Sequence, residues 1–215
     1  MRPTTFLFAL LALAAAPFTA SAEGGGDKGA QLFQLCAQCH GPEGAGDPVA
    51  LAPAIAGMDE WYLKAQLTKF HSGARGTHPD DLAGMRMRPM SLTLRSEEEI
   101  AVVAAHVASL PRVPVKATLA GGDAMRGQAL YAPCAACHGP DAAGIQQLNG
   151  APLRASSDWY LQRQMHNFRS GIRGANPLDT SGALMRPMSM TLPDEQAILD
   201  VIAYITTLGG SDSSH

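Results

Sequence analysis

Cys36-Ala37-Gln38-Cys39-His40 and Cys134-Ala135-Ala136-Cys137-His138 stand 98 residues apart, and that offset decides how the rest of the chain reads. It also relates WYLKAQLTKFHSGARG (61–76) to WYLQRQMHNFRSGIRG (159–174), with nine of sixteen positions identical. MRPMSLTL (87–94) and MRPMSMTL (185–192) share seven of eight. The chain is therefore a tandem duplication. Each copy is roughly 90 residues, the size of a small domain that closes around a large apolar group. Residues 111–122 (PRVPVKATLAGG) have the proline and glycine content of a linker. The domains are accordingly expected at 23–110 and 123–209, followed by a disordered tail at 210–215.

Periodicity makes both copies helical. Asp27 to Gln38 reads as a short helix. Asp59 to Ser72 reads as a second, with Trp61, Leu63, Leu67 and Phe70 at helical spacing and Gly73 past its end. Ser96-Glu97-Glu98-Glu99 is a capping box opening a third helix, which carries Ile100, Val103, Ala104 and Val107 on one face and stops at Pro111. Copy two repeats these helices at about 123–136, 158–170 and 194–208, with Asp194 as the last cap. Residues 41–57 and 73–95 read as long loops, which a small domain tolerates only when something holds them. The fold class is all-α.

Composition narrows the function. Of the 215 residues 46% are apolar and 16% charged, and the formal net charge is −3. That balance lacks the concentrated basic patch needed to bind nucleic acid. Arg2, the apolar run from Phe6 to Ala16 and the small-x-small Ala20-Ser21-Ala22 form an export signal over residues 1–22. The run is short for a membrane span. The expected location is the periplasm, where four cysteines would ordinarily suggest disulfides.

The cysteine spacing points elsewhere. Two cysteines three apart at a helix end reach the two vinyl groups of one porphyrin as thioethers, and the adjacent histidine presents its imidazole to the iron. Cys36/Cys39/His40 and Cys134/Cys137/His138 both match this haem attachment pattern. Two covalent haem c groups are expected, with His40 and His138 as iron ligands. A thiol–disulfide motif would need a thioredoxin-like strand pattern that is missing, and Cys/His zinc sites use other loop lengths. A second axial ligand must come from elsewhere in each copy. His71, His78, His106 and His166 have no counterpart at the 98-residue offset, whereas Met87 repeats as Met185 and Met90 as Met188. Thioether sulfur opposite histidine raises the iron potential, as an electron carrier requires.

The paired CxxCH motifs, the repeated methionines and the final helix resemble class I cytochrome c domains. The duplication resembles the two-haem periplasmic cytochromes of the c4 type, over nearly all of residues 27–208. In such domains the ligating methionine stands seven residues before a leucine that opens the last helix. Leu94 and Leu192 fill that position, so the resemblance implies Met87 and Met185, with Met90 and Met188 as alternatives. Arg95 and Pro193 depart from the small polar residue usual after the leucine. The resemblance also implies a first-loop proline whose carbonyl accepts from the proximal imidazole, here Pro53 and Pro152, whose distances from the histidine differ by a compensating indel. The repeated Trp61/Trp159 and Tyr62/Tyr160 are candidates for packing on a haem edge or bonding a propionate. Arg75/Arg173 and Arg88/Arg186 are candidates for a buried propionate.

The expected function is electron transfer between a respiratory donor and a terminal acceptor such as an oxidase, with redox proteins as partners and no catalytic residues. A fixed subunit of a larger dehydrogenase or oxidase complex, membrane-associated through its partners, is the alternative. A two-haem peroxidase or sulfur-compound dehydrogenase would need an open iron and nearby acid–base groups. The near-identity of the two methionine segments argues against one specialised haem.

Overall fold

The computed structural model describes residues 24–114 and 116–209. The export signal and the tail read from the sequence lie outside the described residues. Copy one contains α1 (Gly24–His40), α2 (Glu60–His71), α3 (Leu82–Leu92) and α4 (Glu97–Ser109). Copy two contains α5 (Ala124–His138), a 3-10 turn at Gln146–Leu148, α6 (Asp158–Ser170), α7 (Thr180–Ser189) and α8 (Glu195–Gly209). The described residues contain no strand, only the isolated bridges Asp47–Ala52 and Ile145–Gly150 that pinch equivalent loops.

The expected caps form. Ser96 Oγ accepts from Glu99 N–H at 3.2 Å, and the Glu99 carboxylate accepts from Arg95 N–H at 2.7 Å. Asp194 accepts from Ala197 N–H at 2.9 Å. One expectation fails: 73–95 is not all loop, because α3 occupies Leu82–Leu92, and α7 sits at the equivalent place. The methionines thus stand on helices. Asp81 and Asp179 nucleate these helices by accepting from Gly84 and Gly182 N–H at 3.0 and 3.1 Å. Pro89 and Pro187 each delete one interior donor. The hydroxyls of Ser91 and Ser189 donate to the Arg88 and Arg186 carbonyls at 2.7 Å in that same turn.

Each copy has its own core. Phe33, Met58, Leu94 and Val103 anchor the first, and Tyr131, Leu192, Ile198 and Ile202 the second. α1 crosses α4, and α5 crosses α8, at a glycine. A Cβ on Gly29 would stand 2.6 Å from the Val102 carbonyl oxygen, and one on Gly127 only 1.9 Å from that of Asp200. Hydrogen for side chain is therefore what lets these helices approach.

The copies meet where α2 and the loop after it face α6 and the start of α7. Lys69 Nζ bonds Asp179 Oδ1 at 2.6 Å and Ser181 Oγ at 2.5 Å. Asn176 donates to the Gly73 carbonyl at 2.9 Å, and Ala54 N–H to Ser157 Oγ at 3.3 Å. The linker is fastened at both ends. Arg112 Nε donates to the Gly57 carbonyl at 3.3 Å. The Thr118 and Leu119 N–H groups and the Thr118 hydroxyl all donate to the buried Asp158 carboxylate.

Candidate functional site

α1 ends on the first CxxCH motif and α5 on the second. A three-residue step on a helix keeps two side chains on one face, so each cysteine pair faces the same way. His40 and His138 are each only 7% exposed. The Nδ1 of His40 donates to the Pro53 carbonyl at 2.8 Å, and that of His138 to the Ala151 carbonyl at 2.8 Å. A carbonyl only accepts, so Nδ1 carries the proton and Nε2 keeps its lone pair for a metal. Burial pulls both imidazoles below their ordinary pKa despite these bonds, which favours the neutral, ligating form.

Pro152 is not the acceptor in copy two. Residue 53 plus the offset of 98 is 151, so the register runs through the loop without an indel, and the backbone carbonyl serves whether its residue is proline or alanine. Pro152 is instead a fully buried packing residue beside that acceptor.

Each motif opens onto a cavity. The first, about 630 Å³, is lined by Cys36, Cys39, His40, Met87 and Met90 among mainly apolar neighbours. The second, about 170 Å³, is lined by Cys134, Cys137, His138, Met185 and Met188. In its lining Leu148 and Met165 stand where Ala50 and Leu67 stand in copy one. Both methionines of each pair reach the lining, because residues three apart share a helix face. His71, His78, His106 and His166 line neither cavity. Burial pushes the Cys36 and Cys134 thiols above their ordinary pKa, the opposite of what a thiol–disulfide catalyst needs.

Arg75 and Arg173 are buried rather than solvated. Arg75 donates to Gln66 Oε1 at 2.6 Å and stacks 4.2 Å above the Phe70 ring, while Arg173 donates to Gln164 Oε1 at 2.7 Å and stacks 4.4 Å above Phe168. The Nε atoms of Arg75, Arg173 and Arg88 are buried with no hydrogen-bond partner, whereas Arg186 is exposed. Guanidinium groups partly unpaired beside a cavity favour an anionic group inside it. Paired thiols, a buried imidazole with a free Nε2, thioether sulfurs and unsatisfied guanidinium N–H groups together fit an iron porphyrin bearing carboxylates.

Tyr62, Gln66, Tyr160 and Gln164 line both cavities and so form the wall between them. Arg75 Nη2 also reaches Tyr160 Oη and Gln164 Oε1, each at 3.4 Å. Trp61 and Trp159 lie outside the lining and brace the tyrosines edge-on, with ring centroids 5.8 and 6.0 Å apart. Gln66 and Gln164 repeat at the same offset of 98, which is the signal the sequence carries for them. Lys69 left no such trace, because position 167 is asparagine.

The family description "Cytochrome c" matches residues 26–111 and again 124–209. A protein of Stutzerimonas stutzeri (strain A1501) named "Thiosulfate dehydrogenase electron acceptor" is 33% identical, over 79% of this chain and 78% of its own. The "Cytochrome c4" of Thiocapsa roseopersicina is 29% identical, over 81% of this chain and 87% of its own. The crystal structure of reduced recombinant cytochrome c4 from Pseudomonas stutzeri superimposes with a TM-score of 0.66 at 26% identity, over 84% of this chain and 96% of that one. With two family matches laid over two CxxCH-bearing cavities, the chain belongs to the cytochrome c family, as an electron-transfer member of the c4 type with two covalent haem c groups.

Proposed function

We propose that His40 and Met87 are the axial ligands of the first haem, and His138 and Met185 those of the second. The observation that carries this is the convergence, in each cavity, of the CxxCH cysteines, a histidine whose Nδ1 is committed to a carbonyl, and a methionine pair on α3 or α7. The bound iron supplies reversible one-electron chemistry. The protein's residues do the rest. Pro53 and Ala151 hold the imidazoles in one tautomer, apolar walls exclude water, and Arg75 and Arg173 receive carboxylates of the porphyrin. With both axial positions taken there is no catalytic residue, and the chain carries electrons without acting on a substrate.

Electrons enter from a dehydrogenase and leave for a terminal acceptor such as an oxidase, and the protein works in the periplasm after cleavage of residues 1–22. The relative named as an electron acceptor supports the first half of that route. It also supports a second reading, in which this chain is a fixed subunit beside such a dehydrogenase. Co-purification from membranes distinguishes that subunit from a free shuttle.

The test is to replace Met87 and Met185 with alanine, one at a time. Each variant is expected to halve the weak long-wavelength absorption of sulfur-ligated ferric haem and to open one iron per chain to carbon monoxide. If Met90→Ala or Met188→Ala does this instead, the ligand assignment moves by one turn. If the unaltered protein already binds carbon monoxide rapidly, a closed carrier is excluded.

A further inference from the structure

The buried face between the copies repeats almost completely. Tyr62/Tyr160, Gln66/Gln164, Arg75/Arg173 and Asp81/Asp179 are identical pairs. One charge at this face breaks the symmetry: the half-buried Lys69 of copy one faces copy two, while the equivalent residue of copy two is Asn167, itself buried. The consequence reaches the cavities. Arg75 and Asp81 line the first, so its buried charges oppose one another, and Arg86 adds a cation only at its exposed rim. Arg173 and Lys69 line the second, and its lining contains no carboxylate. Asp179, fully buried, bonds Lys69 at 2.6 Å without joining that lining. The pair is thus a dipole with its positive end toward the second cavity.

A fixed positive charge disfavours the more positive ferric state and so raises the potential of an iron beside it, more strongly where water is excluded. We propose that Lys69 contributes to the difference between the two centres by raising the potential of the C-terminal one. The inference rests on one haem in each cavity, and Lys69 acts as a positioning charge rather than a ligand.

The experiment is an optical redox titration of the holoprotein and three variants, with each wave assigned to its domain by the wave that Met185→His displaces. In Lys69→Gln the C-terminal wave is expected to fall relative to the N-terminal one, because the cation is lost and Asp179 is left uncompensated. Lys69→Arg keeps the charge and is expected to keep the separation. Asn167→Lys is expected to raise the N-terminal wave. Midpoints that hold their spacing in Lys69→Gln, or that shift equally in Lys69→Arg, overturn the proposal. Either result leaves the haem count and axial ligation, read from the spectra of the same samples, unaffected.

Discussion

At the scale of single residues, the chemistry rests on groups that are buried and committed. The proximal histidines illustrate how little side-chain identity matters when the backbone does the work. Pro53 and Ala151 present the same carbonyl at the same 2.8 Å. Pro53→Ala is therefore expected to leave the midpoint of the first haem and the ligation spectrum unchanged, as a titration of the variant will show, provided the loop keeps its path. A large drop in that midpoint would mean that the proline ring itself orients the imidazole. This is also why the sequence points to Pro152 although the acceptor is Ala151. Prolines are visible in a sequence, whereas a carbonyl is present at every position and reveals nothing until the loop is folded.

The buried Asp158 shows the same economy at the linker. It accepts from the Thr118 N–H and hydroxyl, the Leu119 N–H and the Trp159 N–H. Burial alone would raise its pKa, but these donors together bring it below the ordinary aspartate value. A depressed folded pKa contributes stability that is present above the unfolded pKa and is lost as pH falls through the folded one. Asp158→Asn is expected to cost about 1–3 kcal/mol at neutral pH. The gap from the parent protein should close below roughly pH 3.9, the ordinary aspartate value. Denaturant melts at two pH values check this, and a gap independent of pH would contradict it.

At the scale of helices, α4, α5 and α8 were legible because their apolar residues join a core and a serine or aspartate side chain caps the first turn of each. Helices α3 and α7 were not. Pro89 and Pro187 read as breakers, and the apolar side of each helix packs toward a cavity rather than a core, so the usual periodicity is diluted. The signal that marks them is the repeated Asp-x-x-Gly at 81–84 and 179–182. The α5–α8 crossing offers a sharp test. Gly127→Ala forces a methyl group against the Asp200 carbonyl, at 1.9 Å in the present geometry. A cost of about 3 kcal/mol is expected, from overpacking a close helix contact, which lowers the melting temperature of copy two by roughly 10 °C or more. Calorimetry should show copy one less affected, since its own crossing at Gly29 is untouched.

At the scale of the molecule, duplication explains both the likeness of the two centres and the meaning of their differences. Identity at an offset of 98 marked the sites, the shared tyrosine and glutamine wall, and the buried arginines. What it concealed was the residue that does not repeat, because a search for likeness passes over Lys69. Removing that lysine leaves Asp179 buried without its cation, a loss of about 3–5 kcal/mol for a buried pair broken on one side. Chemical denaturation of Lys69→Gln is expected to show that loss, with Lys69→Arg restoring much of it.

Two porphyrins fixed to this one chain by thioether bonds give it a mass that the bare polypeptide lacks. Intact-mass spectrometry of the denatured protein reads that mass. The polypeptide is expected to carry the mass of two haems that survive acid extraction, falling to one when Cys36 and Cys39 are replaced by alanine and likewise for Cys134 and Cys137. A bare polypeptide mass, or zinc in place of iron in the same sample, would contradict it.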